Sequence, residues 1–227
     1  MSDNKPQHHP STSRMHGNRR EFVTRSAQAA GSVSLLGLLL GSYSEQSQSG
    51  PVSALRPPGA IDEAEFTGAC VRCGLCVRDC PYDTLRLATF GEPLATGTPY
   101  FVARDVPCEM CEDIPCVVAC PTGALDQALT DINQADMGLA VVTGIDTCFS
   151  ITGIGHCQAC YLACPIKDVA ITMEMKQENG RVYFEPTVHR EQCTGCGKCE
   201  KDCILPEAAI KVLPRALVRH DIGRDIA

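Results

Sequence analysis

The sequence predicts an α+β fold with little regular core, in which short helices and strands are organised by clustered cysteines. Three observations carry this expectation. Sixteen cysteines among 227 residues fall into four sets of four, with none left over. A cysteine loop, a short helix and an extended segment recur four times from Ile61 onward, at intervals of roughly 38–45 residues. Tryptophan is absent and aromatics are 5% of the chain, so the folded body owes less to apolar bulk than to whatever the cysteines hold.

The first 54 residues stand apart from that body. Asn18-Arg19-Arg20-Glu21-Phe22-Val23 places paired arginines before a weakly apolar stretch, Ala27 to Leu40, broken by Gly31, Ser32, Ser34 and Gly37. This reads as a twin-arginine export signal, and the run falls short of the roughly 18–20 apolar residues that a membrane span needs. Val52-Ser53-Ala54 is the expected cleavage site, and the Ser, Gln, Gly and Pro-rich residues 42–60 form a linker. The expected domains are therefore 1–54, signal and linker, and 55–227, the cysteine-rich body. Without residues 1–54, fifteen Lys/Arg remain against twenty-four Asp/Glu, a balance of −9. Such acidity excludes nucleic acid and anionic membrane surfaces as partners and suits a basic docking face on another protein.

The sets are Cys70, Cys73, Cys76, Cys80; Cys108, Cys111, Cys116, Cys120; Cys148, Cys157, Cys160, Cys164; and Cys193, Cys196, Cys199, Cys203. Sets one and four have the spacing C-x2-C-x2-C-x3-C, by which a tight loop turns three thiolates toward one face of an iron–sulfur cubane. Set two widens its middle gap to four residues, and set three opens its first gap to eight. Gly74, Gly195 and Gly197 suit the bends between ligands, because glycine reaches backbone angles closed to other residues. The fourth cysteine of such a set serves the other cluster of a pair, and Pro81, Pro121 and Pro165 then turn the chain away. Four sets taken in pairs give four [4Fe–4S] clusters that use all sixteen cysteines. A disulfide framework does not call for quartets ending in C-x3-C. Structural zinc has no use for the cysteines packed beside each C-x2-C. Cluster binding supplies folding free energy in domains of this kind, so the metal-free chain is expected to be largely unfolded.

Between the sets, short helices are expected after each fourth cysteine, as at Asp83–Ala88 and Pro206–Val212. Extended segments are expected at Tyr100–Arg104 and Leu139–Thr143. Ala170–Val188 alternates in polarity around Asn179-Gly180, a strong hairpin signal. Cluster sharing makes these elements two ferredoxin-like two-cluster units. Spacing leaves two pairings open, sequential or nested; the nested one, set one with four and two with three, is favoured by similarity to four-cluster subunits of molybdenum oxidoreductases. No nucleotide loop, nucleophile elbow or metalloprotease signature occurs. His156, His189, Tyr82 and Tyr161 read as packing groups, and the chain as a carrier without a substrate of its own. Asp79, Glu109, Glu112, Asp202, Arg72, Arg78, Lys198 and Lys201 lie close enough in sequence to tune a cluster, though a solvated surface explains most of them.

Several segments resemble the ferredoxin-type NapG/MauM family. They are residues 55–61 (Leu-Arg-Pro-Pro-Gly-Ala-Ile), 70–74 (Cys-Val-Arg-Cys-Gly), 97–101 (Gly-Thr-Pro-Tyr-Phe) and 107–116 (Pro-Cys-Glu-Met-Cys-Glu-Asp-Ile-Pro-Cys). Further matches are 186–189, 193–200 and 207–211, with a weaker one at 131–133; similarity extends over about 55–214. Set three, with its long first gap, also resembles the family pattern. The resemblance implies a periplasmic carrier of four [4Fe–4S] clusters that takes electrons from a membrane-bound quinol-oxidising iron–sulfur protein. It implies delivery toward periplasmic nitrate reductase or its electron-carrying subunit, or alternatively an equivalent carrier or maturation role for methylamine dehydrogenase.

Overall fold

A computed structural model describes residues 54–218 apart from 93, 179 and 216, with isolated positions at 23, 28 and 37. The paired arginines, nearly all of the apolar run and residues 52–53 of the expected cleavage site lie outside the described residues. The chain divides into a unit of residues 1–45 and a unit of 46–227. All sixteen cysteines belong to the second.

Regular structure in that unit is sparse and short. The helices that lie wholly within the described residues are α1 (Glu63–Ala69), α2 (Leu75–Arg78), α3 (Pro115–Val118), α4 (Ala159–Ala163) and α5 (Lys198–Lys201). Glu63 and Glu65 in the first turn of α1 complement its dipole. Pro115 opens α3, where a missing N–H costs nothing. Left-handed Gly74 and Gly197 precede α2 and α5, at φ 74° and 93°. A 3-10 turn, Ile132–Gln134, is capped by the Asp131 carboxylate, which accepts from the Asn133 N–H at 2.9 Å.

Among the described residues the strands form three antiparallel pairs. β1 (Arg86–Leu87) pairs with β2 (Pro99–Tyr100), and β3 (Leu139–Val142) with β6 (Ile210–Leu213). The hairpin expected around residues 179–180 is β4 (Ile171–Glu178) against β5 (Arg181–Val188), in register from Ile171–Val188 to Glu178–Arg181. Only Tyr100 of the expected segment Tyr100–Arg104 lies in a strand; Phe101 makes an isolated bridge to Leu55, and the next residues turn.

The helices do not follow the fourth cysteines, as the sequence reading had them; α2 to α5 each carry the third cysteine of a set and end before the fourth. The segment Asp83–Ala88 instead contributes β1, and Pro206–Val212 contributes most of β6. The second outcome has a plain cause. Ile210 and Val212 are buried while Lys211 between them is not, a period of two that fits a strand and no helix.

Two lobes result. The first, around sets one and two, is clasped by the chain entering it: Leu55 bridges Phe101 and Ala60 bridges Leu125. Phe66, Phe101, Leu55 and Leu125 are fully buried there. The second lobe, around sets three and four, is closed by β3 and β6. The main core mixes these apolar side chains with thiols, among them Cys76, Cys116, Cys120, Cys196 and Cys199. Cysteine therefore takes up core positions that aliphatic side chains would otherwise fill.

Gly195 marks the tightest backbone approach. It has φ +75°, and an added Cβ would lie 2.6 Å from the Gly138 carbonyl carbon and oxygen. Gly195→Ala is expected to cost more than the ~1–2 kcal/mol of a left-handed alanine alone. Gly123→Ala, at φ +73° with nothing within 4 Å, should cost no more than that. Urea denaturation of the two variants checks the difference; equal losses would remove the packing role given to Gly195.

Candidate metal centres

Each loop is bent by residues in the left-handed region. In sets one, two and four the residue before the second cysteine is left-handed: Arg72 at 58°, Met110 at 57° and Gly195 at 75°. The residue capping the following helix is left-handed too, namely Gly74, Ile114 and Gly197. Two such turns in close succession bring three side chains from a short segment to one side. Ile114 is the strained member, a buried β-branched residue at φ 40° held against Pro115. Set three lacks this pattern and places its cysteines by a different route.

The sixteen thiols line four cavities, four to each. Cys70, Cys73 and Cys76 share one with Cys120, and Cys108, Cys111 and Cys116 share another with Cys80. Cys148, Cys157 and Cys160 share the third with Cys203, and Cys193, Cys196 and Cys199 share the fourth with Cys164. In the same order, the cavities contain about 350, 410, 440 and 390 Å³ of empty space, counting their mouths. Pro121, Pro81 and Pro165 line the cavities that their neighbouring fourth cysteines enter.

The fourth cysteine thus crosses to a partner set, and the partners are neighbours in sequence. The nested pairing of set one with four and two with three is not what forms. The cause lies in the connections. α2 packs on α3 and α4 on α5. The chain between sets one and two folds back through β1 and β2, and that between sets three and four through the β4–β5 hairpin. The segment joining sets two and three carries β3, which pairs with β6 of the second lobe.

Burial shapes the chemistry of these thiols. It pushes Cys108 and Cys116 up to about 12, and Cys76, Cys160 and Cys196 to about 11. Cys199 is raised well above its ordinary value for the same reason. Neighbouring sulfurs add to the rise, Cys196 and Cys111 acting on Cys108. Backbone N–H groups oppose it: those of Val77, Met110, Val117, Tyr161 and Lys198 face Cys76, Cys108, Cys116, Cys160 and Cys196. At Cys120 burial also raises the value, but the N–H groups of Thr122, Leu125 and Gly123, with the Thr122 hydroxyl 3.8 Å away, bring it below normal. Buried sulfur facing N–H donors is a setting made for a bound anionic sulfur ligand.

None of the sixteen cysteines is paired in a disulfide. Among the described residues no three His, Cys, Asp or Glu side chains converge as they would around one ion. Four thiols lining one cavity are the donor set that a cubane needs, one sulfur for each iron.

The other singled-out residues have local duties. His156 meets the Phe184 ring edge-on at 4.8 Å, and His189 bonds the Thr172 hydroxyl at 2.9 Å. Tyr161 donates to Asp168 at 2.6 Å, whereas Tyr82 is exposed at the rim of the set-two cavity. Asp79 pairs with Arg78 in solvent, and Arg72 packs its stem near Gly97. Glu112 and Asp202 are exposed. Lys198 pairs with Glu109, and Lys201 donates to the Asp105 carbonyl at 2.7 Å, so both join the lobes. Sequence reasoning missed Arg104 altogether. Its guanidinium donates to the carbonyls of Glu200, Lys201, Cys203 and Leu205, at 2.6 to 3.0 Å. One arginine in an irregular segment carries no sequence signal for a clasp that reaches about a hundred residues ahead.

Comparison with known proteins agrees with this arrangement. A family model described as a 4Fe-4S dicluster domain matches residues 69–124 and 155–205. Each match encloses one sequential pair of sets except for Cys148, which falls outside the second match but lines its cavity. The chain is 54% identical to the methylamine utilization ferredoxin-type protein MauM of Methylorubrum extorquens, over 92% of this chain and 95% of that one. It is 50% identical to the ferredoxin-type protein NapG of Escherichia coli, over 90% and 89%. It is 56% identical to MauM of Methylophilus methylotrophus, over 73% of each. No solved structure matches the chain. Its cysteine architecture and these identities over most of its length make the chain a member of the NapG/MauM family of ferredoxin-type iron–sulfur proteins.

Proposed function

We propose that this chain is a four-cluster electron carrier without a substrate of its own. The observation that supports it is the sorting of all sixteen thiols into four quartets, each lining its own cavity. The residues that would hold one [4Fe–4S] cluster each are Cys70, Cys73, Cys76 with Cys120; Cys108, Cys111, Cys116 with Cys80; Cys148, Cys157, Cys160 with Cys203; and Cys193, Cys196, Cys199 with Cys164. Such a cluster, when bound, accepts and returns one electron at a potential set by its surroundings. The chain supplies those surroundings. Its backbone N–H groups face the sulfurs, its apolar walls exclude water, and its two lobes fix the quartets relative to one another.

In this reading residues 1–54 direct export, and the folded body works in the periplasm after passage through the twin-arginine pathway. The electron donor is a membrane-bound quinol-oxidising iron–sulfur protein. The acceptor is periplasmic nitrate reductase or its electron-carrying subunit, as likeness to NapG suggests. A second reading, service to methylamine dehydrogenase, draws on the 54% and 56% identities to MauM proteins, set beside 50% to NapG. Burial of the quartets makes the fold depend on what they hold, so cluster loss and unfolding coincide.

Three outcomes follow. Purified native protein carries about sixteen irons per chain, and chelation under anaerobic conditions removes the brown absorbance and the cooperative thermal transition together; zinc in its place ends the carrier reading. Arg19→Lys with Arg20→Lys leaves the protein in the cytoplasm, as cell fractionation reads, while iron content stays unchanged. Deleting the gene abolishes quinol-dependent nitrate reduction and spares growth on methylamine; the reverse pattern moves the chain to the methylamine branch.

A further inference from the structure

We infer that the four thiol-lined cavities form a single row in the order set one, set two, set four, set three, with electrons exchanged at its two ends. The inference rests on the four-cluster reading and adds what neither spacing nor kinship supplies, the order of the sites.

Within each lobe, exchange of the fourth cysteine makes the two cavities neighbours. Cys80 and Cys120 tie set one to set two, and Cys164 and Cys203 tie set three to set four. The order then depends on which cavities meet where the lobes join. That junction is built from the loops of sets two and four. The Cys108 N–H donates to the Cys196 carbonyl at 2.8 Å, so a residue lining one cavity is bonded to a residue lining the other. The Thr194 hydroxyl meets the Met110 sulfur at 3.3 Å. Lys198, beside Cys199, pairs with Glu109, which lines the set-two cavity. Gly197 lies so close to Ala103 that an added Cβ would stand 2.5 Å from the alanine Cβ.

The set-one cavity lies away from this seam, and the set-three cavity meets it at one edge. Among the described residues, no hydrogen bond or ion pair joins Cys70, Cys73, Cys76 or Cys120 to the second lobe. Cys203 and Leu205 of the set-three cavity meet the first lobe through their backbone carbonyls, held by Arg104. Cys148, Cys157 and Cys160 bond only within their own lobe. The exposed Cys73 opens the set-one end to solvent. Around the set-three end, residues 147–166 contain no Asp, Glu, Lys or Arg, and Ile154, Leu162 and Ile204 are exposed.

An electron given up by a reduced iron–sulfur protein at one end passes along the row to an oxidised redox protein at the other. The donor loses one electron, the acceptor gains one, and no bond is made or broken. In this order the electron passes between lobes at the seam between Cys108 and Cys196.

Lys198→Gln tests the row in the full, cluster-loaded protein. The substitution removes the cation that pairs with Glu109 at the set-two cavity; it replaces no cysteine and keeps the Lys198 backbone N–H that faces Cys196. Potentiometric titration followed by electron paramagnetic resonance should show two of four midpoints falling and two holding, with Lys198→Arg restoring both. A fall confined to one midpoint, or shared equally by all four, overturns the order. A second measurement needs no substitution at the seam. In reduced Cys73→Ser protein the end cluster is altered, and only one neighbouring signal should change its magnetic coupling; a change in two overturns the order. If the wild-type protein holds far fewer than sixteen irons, it is the four-cluster reading that fails, and the iron analysis shows this before any titration begins.

Discussion

The fold depends on the crossing of each fourth cysteine into its neighbour's cavity. A single loop can present three thiols to one side, but it cannot close a fourth corner without doubling back within three residues. Lending Cys80 and Cys120 to each other's cavities solves the problem for two loops at once. It also welds them into one body, because neither cavity is complete alone. Cys164 and Cys203 do the same in the second lobe. The short helices, the two-stranded sheets and the clasp of Leu55 on Phe101 all serve to return the chain to a loop that lacks its last corner.

That arrangement disfavours free thiolate. Burial holds Cys108 and Cys116 near 12 and Cys76, Cys160 and Cys196 near 11, while an unfolded thiol titrates near its ordinary value of 9. A metal-free fold therefore keeps these thiols protonated. What stability they give is complete below pH 9 and is lost as pH climbs toward 11 and 12. Iron reverses this preference, since it binds thiolate and displaces the proton. The same cavities that disfavour free thiolate exclude water from a bound sulfur cage and leave backbone N–H groups as its hydrogen-bond donors. A core shared between Phe66, Leu125 and several thiols has little else to hold it once its centres are empty.

Much of this was legible in the sequence, and the unread part has physical reasons. Cysteine spacing predicts the sets and the crossing of each fourth cysteine, and four cavities are lined that way. The alternation around residues 179–180 gave the β4–β5 hairpin, and Gly74 and Gly197 gave the bends before α2 and α5. Pairing was not legible, because C-x3-C looks the same whichever set receives its last cysteine; it depends on strand contacts such as β3 with β6, seventy residues apart. The helices do not lie after the fourth cysteines because the residue that follows three of those four is proline. It opens a turn toward a strand, and helical turns form instead where a left-handed residue aims the third cysteine inward. Arg72 and Met110 adopt that left-handed state with no glycine to announce it.

Set three shows how far such a site can depart from a self-contained loop. Its eight-residue gap removes the pair of left-handed turns, so Cys148 must be positioned from outside the motif. The Cys148 N–H donates to the Gly144 carbonyl at 2.9 Å, and the Thr152 hydroxyl returns to the Cys148 carbonyl at 2.8 Å. The buried Ser150 donates to the Phe184 carbonyl on β5 at 2.6 Å, and Arg181 reaches the Thr152 carbonyl. The hairpin between sets three and four thus performs two tasks. It returns the chain so that Cys203 can cross, and it braces the loop that carries Cys148. A dicluster pattern that begins at residue 155 leaves Cys148 out; in this chain its place is fixed by local bonds to Gly144 and Thr152 and by the hairpin that braces Ser150 and Thr152.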